Sequence, residues 1–193
     1  MATIKSTSYS IYIGENSFDS LNTFLKKNSY TKYFIICDEH TFEFCLPTLL
    51  FHSPLLNEAE IIELESGEDK KTLETCLQVW GALTDTGADK KSLIINLGGG
   101  VISDLGGFVA STYKRGIDCI NIPTTLLSMV DASVGGKTGV DFEGIKILTP
   151  AWLDEILQEI YKSHAKKCVT FSNVTNASVK ASLETVLESI DEE

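Results

Sequence analysis

Basic residues are scarce in this sequence, which has 16 Lys and Arg against 27 Asp and Glu and a formal net charge of −11. A phosphate backbone or an anionic membrane binds proteins through a basic face. The acidic balance therefore argues against nucleic acid and against a membrane as general partners. A small anionic ligand senses only the local field, so the charge of the whole chain says nothing against one.

Histidine is also scarce: the chain has three, His40, His52 and His164, and no two stand at metal-binding spacing. Because a catalytic zinc site needs about three converging protein ligands, the sequence predicts no metal-binding residues. The five cysteines are odd in number and include no Cys-x-x-Cys pair. They are typical of buried thiols in a reducing compartment, without a catalytic or zinc role.

The chain lacks a long apolar run. Its first ten residues, MATIKSTSYS, hold no apolar core of signal-peptide length, and its longest apolar region is interrupted by glycines and Asp104. We therefore expect a soluble, cytoplasmic protein. With 193 residues, of which 43% are hydrophobic, the chain is long enough for an ordinary domain with a real core.

Apolar residues follow strand-like and helix-like periods in alternation, which is typical of an α/β sheet. The predicted strands are 8–13, 33–37, 60–64, 92–97 and 117–122, and the predicted helices are 18–25, 42–51, 73–83 and 126–130. After Pro150 we predict two amphipathic helices, at 152–160 and 179–190. The pattern thus predicts an open α/β domain followed by a short, all-helical C-terminal segment.

Glycine-rich loops are concentrated between residues 97 and 139. The first, Gly98-Gly99-Gly100, follows the apolar run 92–97 and precedes residues 101–104, so it is predicted to join a strand to a helix. Doubly wound sheets bind nucleotides at such a turn, because glycine lets backbone N–H groups approach an anion. A close crossing of helix and strand would explain three glycines equally well.

Five ordered motifs carry a resemblance to a known family. They are SGEDKK at 66–71, GGGVISD at 98–104 followed by GFVAS, YKRG at 113–116, PTTLL at 123–127 and DASVGGKTG at 131–139. Over residues 8–146 their order and intervals resemble the NAD-binding N-terminal half of the 3-dehydroquinate synthase family. The resemblance stops at Lys146, which implies a Rossmann-like NAD-binding α/β domain at 1–146 and a short helical C-terminal segment at 147–193. Sister enzymes that cyclise sugar phosphates resemble the same pattern, and glycerol-1-phosphate dehydrogenases do so more distantly.

The resemblance implies a set of NAD-binding residues. They are Asp38, Ser66, Gly67, Glu68, Asp69, Lys70, Lys71, Gly99, Gly100, Val101, Ile102, Ser103, Asp104, Thr124, Thr125, Lys137 and Lys146. Asp38 would bind the adenine ribose, and the glycines would face the pyrophosphate. Simpler roles stay open: Asp38 as a helix N-cap, Glu68 with Lys71 as a surface salt bridge, and Asp104 as an acid complementing the dipole in the first helical turn.

The resemblance also implies four substrate-binding and catalytic residues, which are Asp131, Lys137, Lys146 and Arg115. Asp131 and Lys137 would hold a phosphorylated sugar acid near the nicotinamide, and Lys146 would lie close to the cofactor and the phosphate. Arg115 resembles a residue that reaches the active site of a neighbouring subunit, which predicts a homodimer. From the residues alone, Arg115 is equally an exposed cation at a strand end.

The family reaction is an NAD-assisted phosphate elimination and cyclisation of a heptulosonate 7-phosphate, a carbon–oxygen lyase step of the shikimate pathway toward chorismate and aromatic amino acids. The family also uses a divalent metal, Zn or Co, held by a glutamate and two histidines of a C-terminal domain. Nothing after Ile147 resembles that domain, so we expect ligand binding without turnover. The alternatives are a non-catalytic NAD-binding or interaction module, a related sugar-phosphate cyclase, and a metal-independent oxidoreductase.

Overall fold

The computed structural model describes residues 2–5, 10–14, 16–129, 133, 138–141 and 169–172. The described strands are β1 (Ala2–Lys5), β2 (Ser10–Ile13), β3 (Tyr33–Asp38), β4 (Glu60–Leu64), β5 (Leu93–Gly98), β6 (Asp118–Pro123), β7 (Thr138–Asp141) and β8 (Val169–Ser172). The described α-helices are α1 (Ser17–Lys27), α2 (Glu39–Phe44), α3 (Leu46–His52), α4 (Leu73–Asp85) and α5 (Gly100–Thr112). Short 3₁₀ helices cover Pro54–Glu58, Glu68–Lys70 and Tyr113–Arg115.

Four parallel strands form the central sheet in the order β4-β3-β5-β6, which confirms the predicted open α/β fold. Asp38 at the end of β3 lies beside Leu64 of β4, and Gly98 at the end of β5 lies beside Pro123 of β6. Because parallel strands end at one edge, the loops that follow all four strands meet there. Strands β1 and β2 form a two-stranded antiparallel sheet, and β7 and β8 form a two-stranded parallel one.

Alternate residues of β3 pack into two different cores, one on each face of the sheet. Phe34 and Ile36 join the apolar cluster that includes α4 and α5, whereas Ile35 and Cys37 join the cluster that includes α1 and α3. All four side chains are fully buried. Burial on both faces explains why this strand is continuously apolar in sequence instead of alternating.

Two elements differ from the sequence-based expectation. The helix predicted at 42–51 begins earlier, at Glu39, and is divided at Cys45, because Pro47 has no N–H with which to continue it. Strand β8 lies in the segment predicted to be all helical, where the β-branched and aromatic residues of VTFS favour an extended chain. The helices predicted at 152–160 and 179–190 lie outside the described residues. Within the described part, no helix is long and apolar enough to cross a membrane.

Candidate functional site

A cavity of about 280 Å³ opens at the edge where the four parallel strands end. The carboxyl end of each strand, with the residues that follow it, contributes to the wall: Asp38, His40 and Thr41 at the end of β3, Glu65, Ser66 and Gly67 after β4, Gly99, Gly100, Val101 and Ile102 after β5, and Thr124 and Thr125 after β6. All of these except His40, Thr41 and Glu65 are residues for which the sequence predicts cofactor binding. The topology therefore gathers much of the predicted site around one space.

Asp38 ends β3 and caps α2. Its Oδ1 accepts hydrogen bonds from the Thr41 N–H at 2.8 Å and from the Thr41 hydroxyl at 2.9 Å, and Thr41 Oγ1 in turn accepts the Asp38 N–H at 3.0 Å. This reciprocal pair is a capping box. The N-cap role considered for Asp38 is confirmed, and its place in the cavity wall keeps the ribose role as a compatible prediction.

The three glycines at the start of α5 serve two different purposes. A Cβ on Gly98 would lie 2.6 Å from Ile102 Cβ, so Gly98 allows the close crossing of strand and helix. Gly99 is the N-cap of α5 and offers no side chain to its N–H groups, while Gly99 and Gly100 both line the cavity. The first free N–H groups of α5 thus lie at the cavity, where the helix dipole favours an anion.

Ile102 and Ser103 are predicted cofactor contacts whose side chains are buried. Each is 1% exposed, and Ser103 Oγ lies 3.3 Å from Ser133 Oγ. Ile102 lines the cavity, whereas Ser103 does not and its N–H donates to the Gly99 carbonyl at 3.0 Å, so the predicted contact of Ser103 with a cofactor stays a prediction. Asp104 differs from its expected place, since it is the fifth residue of α5 and not an acid of the first turn.

Asp104 forms an ion pair with Lys71, which precedes α4. Lys71 Nζ lies 2.6 Å from Asp104 Oδ2 and 3.4 Å from Glu68 Oε1, and the Lys71 and Asp104 side chains are only 18% and 17% exposed. Burial by itself lowers the pKa of Lys71, but the hydrogen bond and charge of Asp104, with Glu68, outweigh it and raise the pKa. The salt bridge considered for Glu68 and Lys71 is present, and Asp104 is the stronger partner.

Lys70 and Asp69 belong to an exposed charge cluster beside this pair. Lys70 binds the Glu65 carboxylate, and its Nζ lies 4.0 Å from Asp69 Oδ2. The hydrogen bond that Lys70 donates to the Glu65 carboxylate raises the pKa of Lys70. Glu68, Asp69, Lys70 and Lys71 do not line the cavity, so their predicted contacts with a cofactor stay predictions.

Ser66, another predicted contact, is bound by a residue that the sequence analysis missed. Glu39 Oε2 accepts the Ser66 N–H at 2.8 Å, and Glu39 Oε1 accepts the Ser66 hydroxyl at 2.5 Å. The hydroxyl of Ser66 and the backbone N–H of Glu39 lower the pKa of Glu39. The only sequence signal for Glu39 was its position next to Asp38.

Thr124 and Thr125 complete the wall on the β6 side. The Thr124 N–H donates to the Gly98 carbonyl at 3.0 Å, and Thr125 Oγ1 lies 3.0 Å from Ser128 Oγ. Pro123 is the last residue of β6. The helical turn begins at Leu126.

Arg115 lies at the opposite edge of the sheet from the cavity. It follows α5, which starts at the cavity, and precedes the first residue of β6. Its side chain is exposed and its φ of 67° is in the left-handed region. The other predicted catalytic residues, Asp131, Lys137 and Lys146, lie outside the described residues.

The sequence of this chain is similar to those of known proteins. The family model described as 3-dehydroquinate synthase N-terminal matches residues 61–157. A protein of Parabacteroides distasonis named 3-dehydroquinate synthase is 48% identical over 126 residues, which are 65% of this chain and 35% of that protein. One of Alkaliphilus oremlandii with the same name is 40% identical over 146 residues, 72% of this chain and 39% of that protein. The chain thus spans little more than a third of these curated relatives.

Two solved structures share the fold. A 2-deoxy-scyllo-inosose synthase complexed with carbaglucose-6-phosphate, NAD+ and Co2+ has a TM-score of 0.66 at 24% identity and covers 74% of this chain and 39% of its own. The 2-epi-5-epi-valiolone synthase of Streptomyces hygroscopicus, with NAD+ and Zn2+ bound, has a TM-score of 0.58 at 27% identity, with the same coverage of 74% and 39%. The first likeness concerns the fold alone.

Proposed function

Because this chain belongs to the 3-dehydroquinate synthase N-terminal family, we propose that its residues 1–146 bind NAD as the dinucleotide-binding part of a 3-dehydroquinate synthase-like enzyme. The reaction of the whole protein is the elimination of phosphate from a heptulosonate 7-phosphate and its cyclisation, in the shikimate pathway. The protein works in the cytoplasm as a homodimer in which Arg115 reaches the neighbouring subunit.

One observation carries the NAD proposal: a single cavity is lined both by Asp38 and by the uncapped N-terminus of α5. A carboxylate suits the hydroxyls of a ribose, and free N–H groups at a helix start suit a pyrophosphate. The cap bonds of Asp38 go to Oδ1, which leaves Oδ2 as an acceptor within the described structure. The groups present therefore fit the adenosine and diphosphate portions of a dinucleotide.

NAD, when bound, would accept a hydride from the carbon that bears a substrate hydroxyl and return it to that carbon after the hydroxyl has become a ketone. The residues of this chain bind and orient the two molecules. Lys71, with its raised pKa, stays protonated beside Asp104 and keeps the start of α4 close to α5. We assign Asp131, Lys137 and Lys146 to the substrate and the nicotinamide end of the site on the family resemblance.

The divalent metal of the family does not fit the described residues. Nowhere in that part of the chain do three His, Cys, Asp or Glu side chains come together to hold a metal ion. A metal step is therefore assigned to none of these residues. We propose that this chain by itself binds NAD and a phosphorylated sugar acid without turnover.

Calorimetric titration of the purified 193-residue chain with NAD tests the proposal. We expect heat of binding and thermal stabilisation at saturating NAD. A folded sample that shows neither would refute NAD binding. A parallel assay with heptulosonate 7-phosphate, sedoheptulose 7-phosphate, NAD and added Zn2+ or Co2+ should release no phosphate; release from one substrate would identify the reaction and show that the chain is sufficient for it.

A further inference from the structure

Glu39 connects two loops of the cavity wall without lining the cavity itself. Its carboxylate accepts both polar hydrogens of Ser66, the N–H at Oε2 and the hydroxyl at Oε1, over 2.8 and 2.5 Å. Two parallel hydrogen bonds to one carboxylate fix orientation as well as distance. Because Glu39 begins α2 and Ser66 follows β4, this contact ties the loop after β3 to the loop after β4.

Both tied loops carry residues of the cavity wall. Asp38 and His40 flank Glu39 in sequence and line the cavity, as Ser66 and Gly67 do from the other loop. Glu39 accepts both the N–H and the hydroxyl hydrogen of Ser66, so neither hydrogen is left to donate to a ligand. Because Glu39 does not line the cavity, it acts on a ligand through the position of the loop.

The loop from β4 to α4 is held at its far end too. Lys71 binds Asp104 of α5 there, 2.6 Å away. Between the two attachments, Gly67 has a φ of +127°, and a Cβ at this position would lie 2.4 Å from Asp69 Oδ1. The loop therefore runs through a conformation that suits glycine. The Glu39 carboxylate binds it at one end, and the Asp104 carboxylate binds it at the other.

We propose that Glu39 is a positioning residue, which holds the loop after β4 against the loop after β3 and so preforms the cavity for the adenosine portion of NAD. This inference rests on the proposed function. A preformed site costs less ordering on binding, so loss of the clamp weakens binding even where the fold persists. The hydrogen bond from the Ser66 hydroxyl lowers the pKa of Glu39 and keeps its carboxylate charged at neutral pH, and His40 Nε2 lies 3.8 Å from Oε1.

Four variants of the full chain test the clamp: Glu39→Ala, Glu39→Gln, Ser66→Ala and, as a matched control, Glu43→Ala, which removes an exposed acid from the same helix. Amide exchange at Ser66, thermal unfolding without ligand and calorimetric titration with NAD are measured for each. Glu39→Ala should speed Ser66 exchange and weaken NAD binding, each by about tenfold, with little change in the melting temperature. Glu39→Gln retains one acceptor oxygen and Ser66→Ala retains the N–H bond, so both should fall between Glu39→Ala and wild type.

Wild-type exchange or affinity in Glu39→Ala would overturn the proposal, as would an equal loss of affinity in Glu43→Ala. A wild-type chain that binds no NAD would instead refute the proposed function. The clamp remains measurable in that case, because Ser66 exchange needs no ligand. Protection of the Ser66 amide that is unchanged by Glu39→Ala would then refute the clamp separately.

Discussion

Helices α4 and α5 begin at the same edge of the sheet and pack on the same face, yet only α5 begins at the cavity. The N-cap of α4 is Thr72, whose side chain accepts the Thr75 N–H. The N-cap of α5 is Gly99, which has no side chain. A capped helix satisfies its own first N–H groups, whereas an uncapped one leaves them for a ligand. This difference is consistent with the proposal that the start of α5 binds a ligand and the start of α4 does not.

The two helices also differ in how closely they approach the sheet. A Cβ added to Gly106 of α5 would lie 1.8 Å from Oδ1 of the buried Asn96 on β5. A Cβ added to Gly81 of α4 would have nothing within 4 Å. Glycine thus brings α5 against β5, while in α4 it has no packing role.

Replacement of these two glycines by alanine gives the largest expected contrast. Gly106→Ala must displace the Asn96 amide, which donates to Asn121 Oδ1 at 2.8 Å, and should lower the free energy of unfolding by about 3 kcal/mol. Gly81→Ala should raise it by about 0.5–1 kcal/mol, because alanine is the better helix former. Urea denaturation measures both. Equal effects of the two substitutions on the free energy of unfolding would show that the close approach of α5 to β5 does not depend on Gly106.

The ion pair between the start of α4 and α5 provides the second test. Lys71→Met leaves the partly buried Asp104 without this partner and should cost about 2 kcal/mol of unfolding free energy. Glu68→Gln is the control: this side chain is 76% exposed and 3.4 Å from Lys71, so its loss should cost less than about 0.5 kcal/mol.

The same pair predicts a pH dependence. The pKa of Lys71 is raised in the fold, so the stability it contributes is complete below the ordinary lysine value of 10.5 and is lost as the pH rises above it. Denaturation of wild type at alkaline pH should therefore show a loss that Lys71→Met lacks. Parallel curves for the two proteins would argue against a stabilising Lys71.

Much of the fold could be predicted from the sequence, since β3 and β5 are continuous apolar runs and the glycines mark the turn into α5. The ion pair of Lys71 and Asp104 and the clamp of Glu39 on Ser66 could not. Their partners are 33 and 27 residues apart and meet only because parallel strands end at one edge. Spacing within one helix indicates neighbours three or four residues apart, and it therefore found Glu68 for Lys71 but not Asp104.

The split of one predicted helix into α2 and α3 has a local cause in the sequence, because Pro47 has no N–H to continue the helix. The N-cap role of Asp38, one of the two roles left open, is confirmed, and its signal is also local. Contacts to a ligand at Asp38, the glycines and the threonines stay predictions, and they depend on the uncapped start of α5.

Gly100→Val tests whether the uncapped start of α5 binds the pyrophosphate. A β-branched side chain at the first residue of α5 should block the approach of a pyrophosphate to the backbone and weaken NAD binding by about 1 kcal/mol or more. Gly81→Ala serves as the control, because it changes a glycine of α4 far along the helix from the cavity. Calorimetric titration that gives equal dissociation constants for Gly100→Val and wild type would place the pyrophosphate elsewhere.

The smallest expected effect needs no substitution: it is the rate at which the thiol of Cys76, on the buried face of α4, is labelled. Burial raises the pKa of Cys76 from 9.0 to about 12, so at pH 8 its thiolate is roughly a thousandfold rarer than that of an ordinary thiol. Cys76 is also 0% exposed, whereas Cys45, between α2 and α3, is half-buried. Iodoacetamide at pH 8 should therefore label Cys45 well before Cys76, as peptide mass spectrometry can show.

Labelling of Cys76 should follow the opening of α4. If urea accelerates the labelling of Cys76 before it accelerates amide exchange in α5, then α4 opens separately from α5. Equal labelling rates for Cys76 and Cys45 in the native protein would mean that α4 does not seal its face of the core.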